Sequence, residues 1–516
     1  MKKHTMKKAA AGFLTAAVTL TAAAPALLAS ASEAAPAVPK YVFLFIGDGM
    51  SYPQIQATAD YLGAVEQGGE GDILQGPKKL AMMEFPVAGS ATTFDSTSFC
   101  PDSASTATSI STGYKTYSGS INVDETGTVE YETIAEKVKE QLGYKVGVVS
   151  SVNLNHATPA AFYAHQVSRN SYYDISMEMI ESGFDYFAGG ALLQPTGKEE
   201  DQPDSYTLAQ EAGYKVIRTQ AEADALTAED GKAIVISETL ADGDSMSYEN
   251  DRAEEEWALA DYVEKGIEVL DNETGFFMMV EGGKIDWACH ANDAGSTVND
   301  TIALDNAVAQ AVEFYNEHPD ETLILVTGDH ETGGLTIGFA GTDYDTFLTN
   351  LSNQKISYAK FDEEYVAKYK EEGTDFDTVM ADITELFGLV PPTEGQEETE
   401  ATMDSKDMHP ESDDTGSLVM TQYEYDKLKA AYETTMSRTG EEEIGQEEYL
   451  LYGSYEPLSV TVTHILNNKS GINFASYAHT GLPVAVFAQG NGQEKFAGYY
   501  DNTDIYDKMA GLLGVQ

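Results

Sequence analysis

The sequence predicts an α/β fold: one large central, mostly parallel β-sheet flanked by helices on both faces. Three observations carry that expectation. Short runs of β-branched and aromatic residues recur at Tyr41–Ile46, Lys145–Ser150, Ala233–Ile236, Phe276–Val280, Thr322–Val326 and Pro483–Phe487. They are near-continuously apolar, as strands covered on both faces are. Helical patterns lie between many of them, at Tyr131–Leu142, Glu254–Leu270 and Thr297–Tyr315; strands alternating with helices favour parallel pairing. Polar motifs then follow directly on several strands: Gly47-Asp48-Gly49 after the first, Glu281-Gly282-Gly283 after Val280, and Thr327-Gly328-Asp329-His330 after Val326. Ligands of such sheets gather at the carboxyl ends of strands.

Ahead of the first strand, Lys2, Lys3, Lys7 and Lys8 precede an apolar run from Ala9 to about Leu28, and Ala29-Ser30-Ala31 offers a small-residue cleavage site. This is the layout of a secretory signal peptide. Residues 1–31 are therefore expected to be an export signal, and the mature protein to act in the periplasm, at the cell surface or outside the cell. No second hydrophobic span follows, so no membrane attachment is expected after cleavage.

Residues 40–516 are expected to form the α/β domain, with no internal repeat. Residues 191–255 are polar and loop-rich. Residues 341–460 are acidic, carry little periodicity, and read as a less regular insertion on the core. Within them, Pro391–Gly416 mixes acids with Thr, Ser and Pro, the composition of a surface segment. Only Cys100 and Cys289 are present, too few for a disulfide scaffold, and two free thiols are the simpler expectation.

The formal charge of −55 excludes nucleic acid and anionic membrane surfaces as partners. An anionic substrate would need local cations, and bound metals are their natural source. Arginine is scarce: Arg169, Arg218, Arg252 and Arg438 are the candidates for a bidentate phosphate clamp.

Glu281, Asp286 and His290 follow one strand at spacings i, i+5 and i+9, and Asp and His are ligands that zinc accepts. Alone, the run fits a solvated polar turn equally well. Asp329-His330 puts two ligand types in one loop, His479 leads into the strand at Pro483, and Asp48 sits between glycines that allow close backbone approach. Each motif is weak singly; together they bring acids and histidines to one end of one sheet. His165, His318, His409 and His464 lie outside these motifs and read as surface or core residues.

Pro101-Asp102-Ser103 opens a run of small residues with a helix-start signal. Ser103 would then lie in the first turn, where free N–H groups and the helix dipole favour an anion. An ordinary capped Ser/Thr-rich helix is the alternative for this segment taken by itself. His156 and Thr158 follow the strand at Lys145–Ser150, and Arg169 comes eleven residues after Thr158. An imidazole, a hydroxyl and a guanidinium thus share one loop system.

At these residues the sequence resembles the alkaline phosphatases. The match runs through IGDGM at Ile46–Met50, PDSAST at Pro101–Thr106, HATPAAFYAH at His156–His165, FFMMVEGGKID at Phe276–Asp286, VTGDH at Val326–His330 and HTG at His479–Gly481. The resemblance implies a phosphomonoesterase of broad specificity with two zinc ions and one magnesium. It implies that Asp286, His290 and His479 hold the zinc that activates water. Asp48, Asp329 and His330 would hold the zinc that activates Ser103, the nucleophile of a phosphoserine intermediate. Asp48 would also reach toward magnesium with Thr158 and Glu281. Arg169 would clamp the phosphate, oriented by Asp102. A homodimer is common in the family, although no interface can be read from the sequence.

Two positions depart from part of the family's pattern. His156 stands where some bacterial members carry Asp, which implies a magnesium site held through water or partly filled. Trp287 stands where others carry Lys or His, which removes a cation from the phosphate site and implies weaker binding of inorganic phosphate. The neighbouring readings are a phosphodiesterase or nucleotide pyrophosphatase of the same superfamily, and a non-catalytic extracellular phosphate- or metal-binding protein. A sulfatase would need a maturation motif that Cys100-Pro101-Asp102-Ser103 does not supply.

Overall fold

The computed structural model describes residues 38–68, 76–342, 344–393, 416–439 and 443–516. The expected export signal, His409 and most of Pro391–Gly416 lie outside the described residues.

Fourteen strands are described. They are β1 (Tyr41–Gly47), β2 (Val87–Thr92), β3 (Lys145–Asn153), β4 (Tyr186–Gly190), β5 (Lys215–Ile217), β6 (Ala233–Ile236) and β7 (Phe276–Gly282). The others are β8 (Thr322–Gly328), β9 (Glu331–Thr332), β10 (Thr336–Ile337), β11 (Ile472–Asn473), β12 (His479–Thr480), β13 (Val484–Gly490) and β14 (Gly498–Asp501). Ten form one sheet in the order β14-β2-β13-β8-β1-β7-β3-β4-β6-β5. Neighbours are parallel except around β13, which runs antiparallel to β8 and β2.

The central strand β1 shows why the sheet has two covered faces. Side chains alternate across a strand. Phe43 and Phe45 enter one apolar cluster, with Met278, Val280, Ile324 and Val326. Val42, Leu44 and Ile46 enter the other, with Phe277, Met279, Leu323 and Leu325. All of these are fully buried. The first cluster includes apolar residues of the helices Leu259–Leu270 and Ala294–Glu317, the second those of Ser103–Thr112 and Thr503–Leu513. Truncating a buried phenylalanine such as Phe43 to alanine removes about 3–5 kcal/mol in such cores.

Register then positions the site. Ile46 of β1 pairs with Glu281 of β7 and with Thr327 of β8, and Gly47 pairs with Gly282 and Gly328. The carboxyl ends of three adjacent parallel strands therefore finish level. Asp48 and Asp329 leave the sheet side by side, and Glu281 stands within β7, level with Ile46.

The described parts of residues 341–460 hold more regular structure than their composition suggests. Helices span Tyr358–Lys360, Ala367–Glu372, Phe376–Phe387, Gln422–Ser437 and Gln446–Tyr452. Phe376–Phe387, for example, buries a stripe of Val379, Met380, Ile383 and Phe387 against the first cluster and turns its acids outward. The many acids dilute the stripe until its period is hard to read. Cys100 is exposed, Cys289 is buried, and both are free. No described helix is long and apolar enough to cross a membrane.

Candidate active site

Two tight turns let the strand ends converge. Gly49 has φ +70°, and a Cβ there would lie 2.8 Å from Asp286 Oδ1. At Gly328 a Cβ would meet the Met50 carbonyl oxygen at 1.9 Å. Neither position admits a side chain without backbone movement.

Ser103 begins the helix Ser103–Thr112, capped by Asp102, whose carboxylate accepts the Ser105 N–H. Small residues keep that helix wholly buried, and Ser103 itself is 2 % exposed. Its Oγ lies 3.2 Å from His330 Nε2 and 3.4 Å from Asp48 Oδ1. Around it, His330 Nε2 is 3.2 Å from Asp48 Oδ1 and 3.5 Å from Asp329 Oδ2. Thr106 Oγ1 donates to Asp329 Oδ2 at 3.2 Å, and Gly49 N–H to Asp329 Oδ1 at 3.2 Å.

The second group abuts the first. The His479 ring stacks on His330 with centroids 3.7 Å apart. His479 Nε2 is 3.7 Å from Asp286 Oδ1 and 3.0 Å from His290 Nε2, which is 3.4 Å from Asp286 Oδ2. Among the described residues, Asp48, Asp329 and His330 bring ligand atoms within 4.8 Å of one another, as do Asp286, His330 and His479. His290 sits beside the second set.

The tautomers these contacts impose show what fits between the groups. His290 Nδ1 faces the Tyr477 carbonyl at 2.7 Å and His479 Nδ1 faces the Pro101 carbonyl at 2.5 Å. A carbonyl only accepts, so both Nδ1 atoms carry the proton. Thr332 Oγ1 donates to Asp286 Oδ1 at 2.5 Å and lies 3.2 Å from His330 Nδ1, which fixes His330 the same way. Three imidazole lone pairs then point at one another and at carboxylate oxygens. Such a set of acceptors fits divalent cations with nitrogen and oxygen preferences, with carbonyl and hydroxyl partners orienting the ligands.

Without a cation, protons must fill that role. Burial opposes a charged imidazole at His330, but Asp329 and Asp48 outweigh it and raise its pKa to about 10. Burial and then Asp48 push Asp329 up to about 8. Burial and then Asp48 also hold Glu281 well above the carboxylate range.

Glu281 accepts a short hydrogen bond from Ser150 through Oε2, while its buried Oε1 has no protein partner. Thr158 Oγ1 donates to Asp48 Oδ2 at 3.3 Å, on the far side of that carboxylate from Ser103. His156 is close by but edge-on to Trp287, with centroids 5.8 Å apart, and its buried Nδ1 has no partner. Burial first, then Arg169, lowers the His156 pKa to about 4, so it is neutral. An orphaned carboxylate oxygen near Asp48, whose other side meets Thr158, fits a further hard cation.

Arg169 NH1 donates to Asp102 Oδ2 at 3.0 Å. Sequence reasoning passed over Thr332, two residues after His330, and Lys284 inside the Glu281–His290 motif. Lys284 is fully buried, with Nζ 4.4 Å above the Trp287 ring, 4.1 Å above Tyr248 and 3.6 Å from Asp242. A lysine in an otherwise glycine and apolar turn was the available signal for it.

A sequence model of the family described as alkaline phosphatase matches residues 39–515. Alkaline phosphatase 4 of Bacillus subtilis is 29% identical over 486 residues, covering 92% of this chain and 89% of its own. The structure of a cold-active alkaline phosphatase from a psychrophilic Shewanella superposes with a TM-score of 0.71 at 25% identity, covering 92% of this chain and 99% of its own. Thermus thermophilus alkaline phosphatase shares the fold, with a TM-score of 0.71 at 22% identity over 95% of this chain and 96% of its own.

Proposed function

The chain belongs to the alkaline phosphatase family, and on that premise we propose that it hydrolyses phosphate monoesters of broad specificity through a phosphoserine on Ser103. The observation that carries the reading is the position of Ser103 Oγ, at a helix N-terminus and within 3.4 Å of both Asp48 and His330. An ordinary capped serine has no reason to face a set of cation ligands.

Asp286, His290 and His479 would hold one zinc and Asp48, Asp329 and His330 the other. Asp48, Thr158 and Glu281 would hold magnesium, with His156 adjacent. When bound, such cations supply Lewis acidity, lowering the pKa of a neighbouring hydroxyl or water and neutralising phosphate charge. Ser103 Oγ, deprotonated, attacks phosphorus in line; the bond to the ester oxygen breaks and the alcohol departs. Hydroxide then attacks the phosphoserine from the side the alcohol left, and Ser103 Oγ is released with inorganic phosphate. Arg169 offers two N–H groups to the equatorial oxygens, and the first-turn N–H groups of Ser103–Thr112 add to them. Asp102 holds that guanidinium in place. These groups recognise phosphate and leave the alcohol unspecified.

Both attacking oxygens must lose a proton, so activity should rise from neutral to alkaline pH. A rate profile peaking below pH 7 would contradict this. Function class is tested by assaying a chromogenic phosphomonoester, a phosphodiester and a sulfate ester, each with and without chelator. Rapid turnover of the monoester alone, abolished by chelator, is expected. A faster diesterase would favour the phosphodiesterase reading, and no turnover of any ester would favour a binding protein.

Trp287 leaves the rim of the site without a cation, because the Lys284 ammonium is buried behind the indole ring. Trp287→Lys should therefore tighten inhibition by inorganic phosphate by roughly three- to tenfold, the effect of one partly screened charge. An unchanged inhibition constant would remove Trp287 from phosphate binding.

A further inference from the structure

Arg169 holds Asp102 through one nitrogen, and a long guanidinium side chain has much rotamer freedom to lose. Its placement therefore depends on what holds Asp102. The answer leads away from the site to Asp95, a carboxylate 5 % exposed in the loop before the Ser103 helix.

Asp95 Oδ1 accepts from Thr97 N–H at 2.7 Å, Thr97 Oγ1 at 2.8 Å and Ser98 N–H at 2.7 Å. Its Oδ2 accepts from Ser105 Oγ at 2.8 Å and, by a short bond, from Ser118 Oγ. Two of these donors lead to Arg169. Ser105 is fully buried, and its Oγ is also 2.8 Å from Asp102 Oδ1, the oxygen that accepts the Ser105 N–H at 3.1 Å. The single Ser105 hydroxyl proton is thus shared between two carboxylates, and the second of them grips the guanidinium. On the other path, Ser118 precedes Gly119, whose carbonyl accepts the Arg169 N–H at 2.7 Å. The Gly119 N–H in turn bonds Asp102. Hydrogen bonds among Asp95, Ser105, Asp102, Arg169, Gly119 and Ser118, completed by the Ser118–Gly119 peptide link, close a ring.

We propose that Asp95 is a positioning residue for phosphate recognition, the hub that fixes Arg169 at its backbone and at its guanidinium relative to Ser103. The proposal rests on the reading of Arg169 as the phosphate clamp. The ring, with the Lys115 ammonium nearby, explains why a carboxylate is buried in this loop. It satisfies five donors at once, which a neutral side chain cannot do. Loss of the hub removes an acceptor from both Ser105 and Ser118, which loosens the start of the Ser103 helix and the turn from which Arg169 hangs.

The test is a double-mutant cycle on the full enzyme with its metals, using Asp95→Asn, Ser105→Ala and Arg169→Ala. Inhibition by inorganic phosphate and kcat/KM for a chromogenic monoester are read in each variant. Asp95→Asn is isosteric and keeps an acceptor for Thr97 and Ser98. It should raise the phosphate inhibition constant roughly tenfold, as loss of charge-assisted hydrogen bonds does, and have no further effect when Arg169 is already alanine. Ser105→Ala should give a smaller loss of the same kind, and Ser105→Thr should restore it. If Asp95→Asn does not fold, the Ser105 pair decides. Unchanged phosphate inhibition in Asp95→Asn or Ser105→Ala overturns the proposal, as does an equal loss with and without Arg169. If Arg169→Ala itself leaves phosphate inhibition unchanged, the clamp reading fails first and this inference with it.

Discussion

Ser103→Ala should fold and bind metal normally, yet lose at least about a thousandfold in kcat and form no phosphoenzyme. The hydroxyl accounts for almost none of the packing. Ser103 lies at the tip of a helix whose Ala104, Ala107 and Ile110 carry the burial. The Asp102 cap acts through Ser105, not Ser103. The substitution removes one oxygen facing His330 and Asp48 and leaves the ligand set intact. Intact-protein mass spectrometry after an acid quench with substrate should show a phosphate adduct in the wild type and none in the variant. A variant with more than a tenth of wild-type kcat would rule out Ser103 as the nucleophile.

Removal of divalent cations should abolish activity and lower Tm by at least about 5 °C. Asp48, Glu281 and Asp329 are buried together at level strand ends, and a set of buried carboxylates without a counter-charge is costly. The effect should depend on pH in a definite direction. His330, raised from 6.5 to about 10 without a cation, stabilises the metal-free fold below pH 6.5, and that contribution is lost as pH rises toward 10. Asp329, raised from 3.8 to about 8, adds a cost that grows as pH climbs from 3.8 to 8. Both shifts weaken the metal-free protein as pH rises. The gap in Tm between metal-loaded and chelated protein should therefore widen from pH 6 to pH 9. Reloading should also be tighter at pH 9 than at pH 6, because the cation then competes with fewer protons, chiefly that of Asp329. A gap that narrows over this range would mean that the cations do not occupy the Asp329–His330 cluster.

The central strands were readable from sequence because both their faces are buried. Phe43 and Phe45 serve one cluster while Val42 and Leu44 serve the other, so β1 reads as an unbroken apolar run. Four other strands were not. Val87–Thr92 is rich in small residues, Tyr186–Gly190 ends in two glycines, and Lys215–Ile217 and Gly498–Asp501 are too short to show a period. The helix expected at Tyr131–Leu142 begins only at Ile134, where Thr133 and Glu136 form a capping box, and widens to a π-turn at Val138–Leu142.

Local motifs exposed the candidate ligands, since Asp48, Glu281 and Asp329 each follow a recognisable strand. Their orienting partners could not be found in that way. The Pro101 carbonyl meets a histidine 378 positions along the chain, and Thr332 meets an aspartate 46 positions back. Asp95, in a polar loop, resembles any turn-forming aspartate until the fold closes its ring of donors.

X-ray diffraction from crystals of the mature enzyme, recorded on both sides of the zinc absorption edge, bears most directly on the paired-cation site. Two anomalous peaks are expected, one among Asp48, Asp329 and His330 and one among Asp286, His290 and His479, with Ser103 Oγ directed at the first. A fully active crystal with no edge-dependent peak at either group would contradict the account.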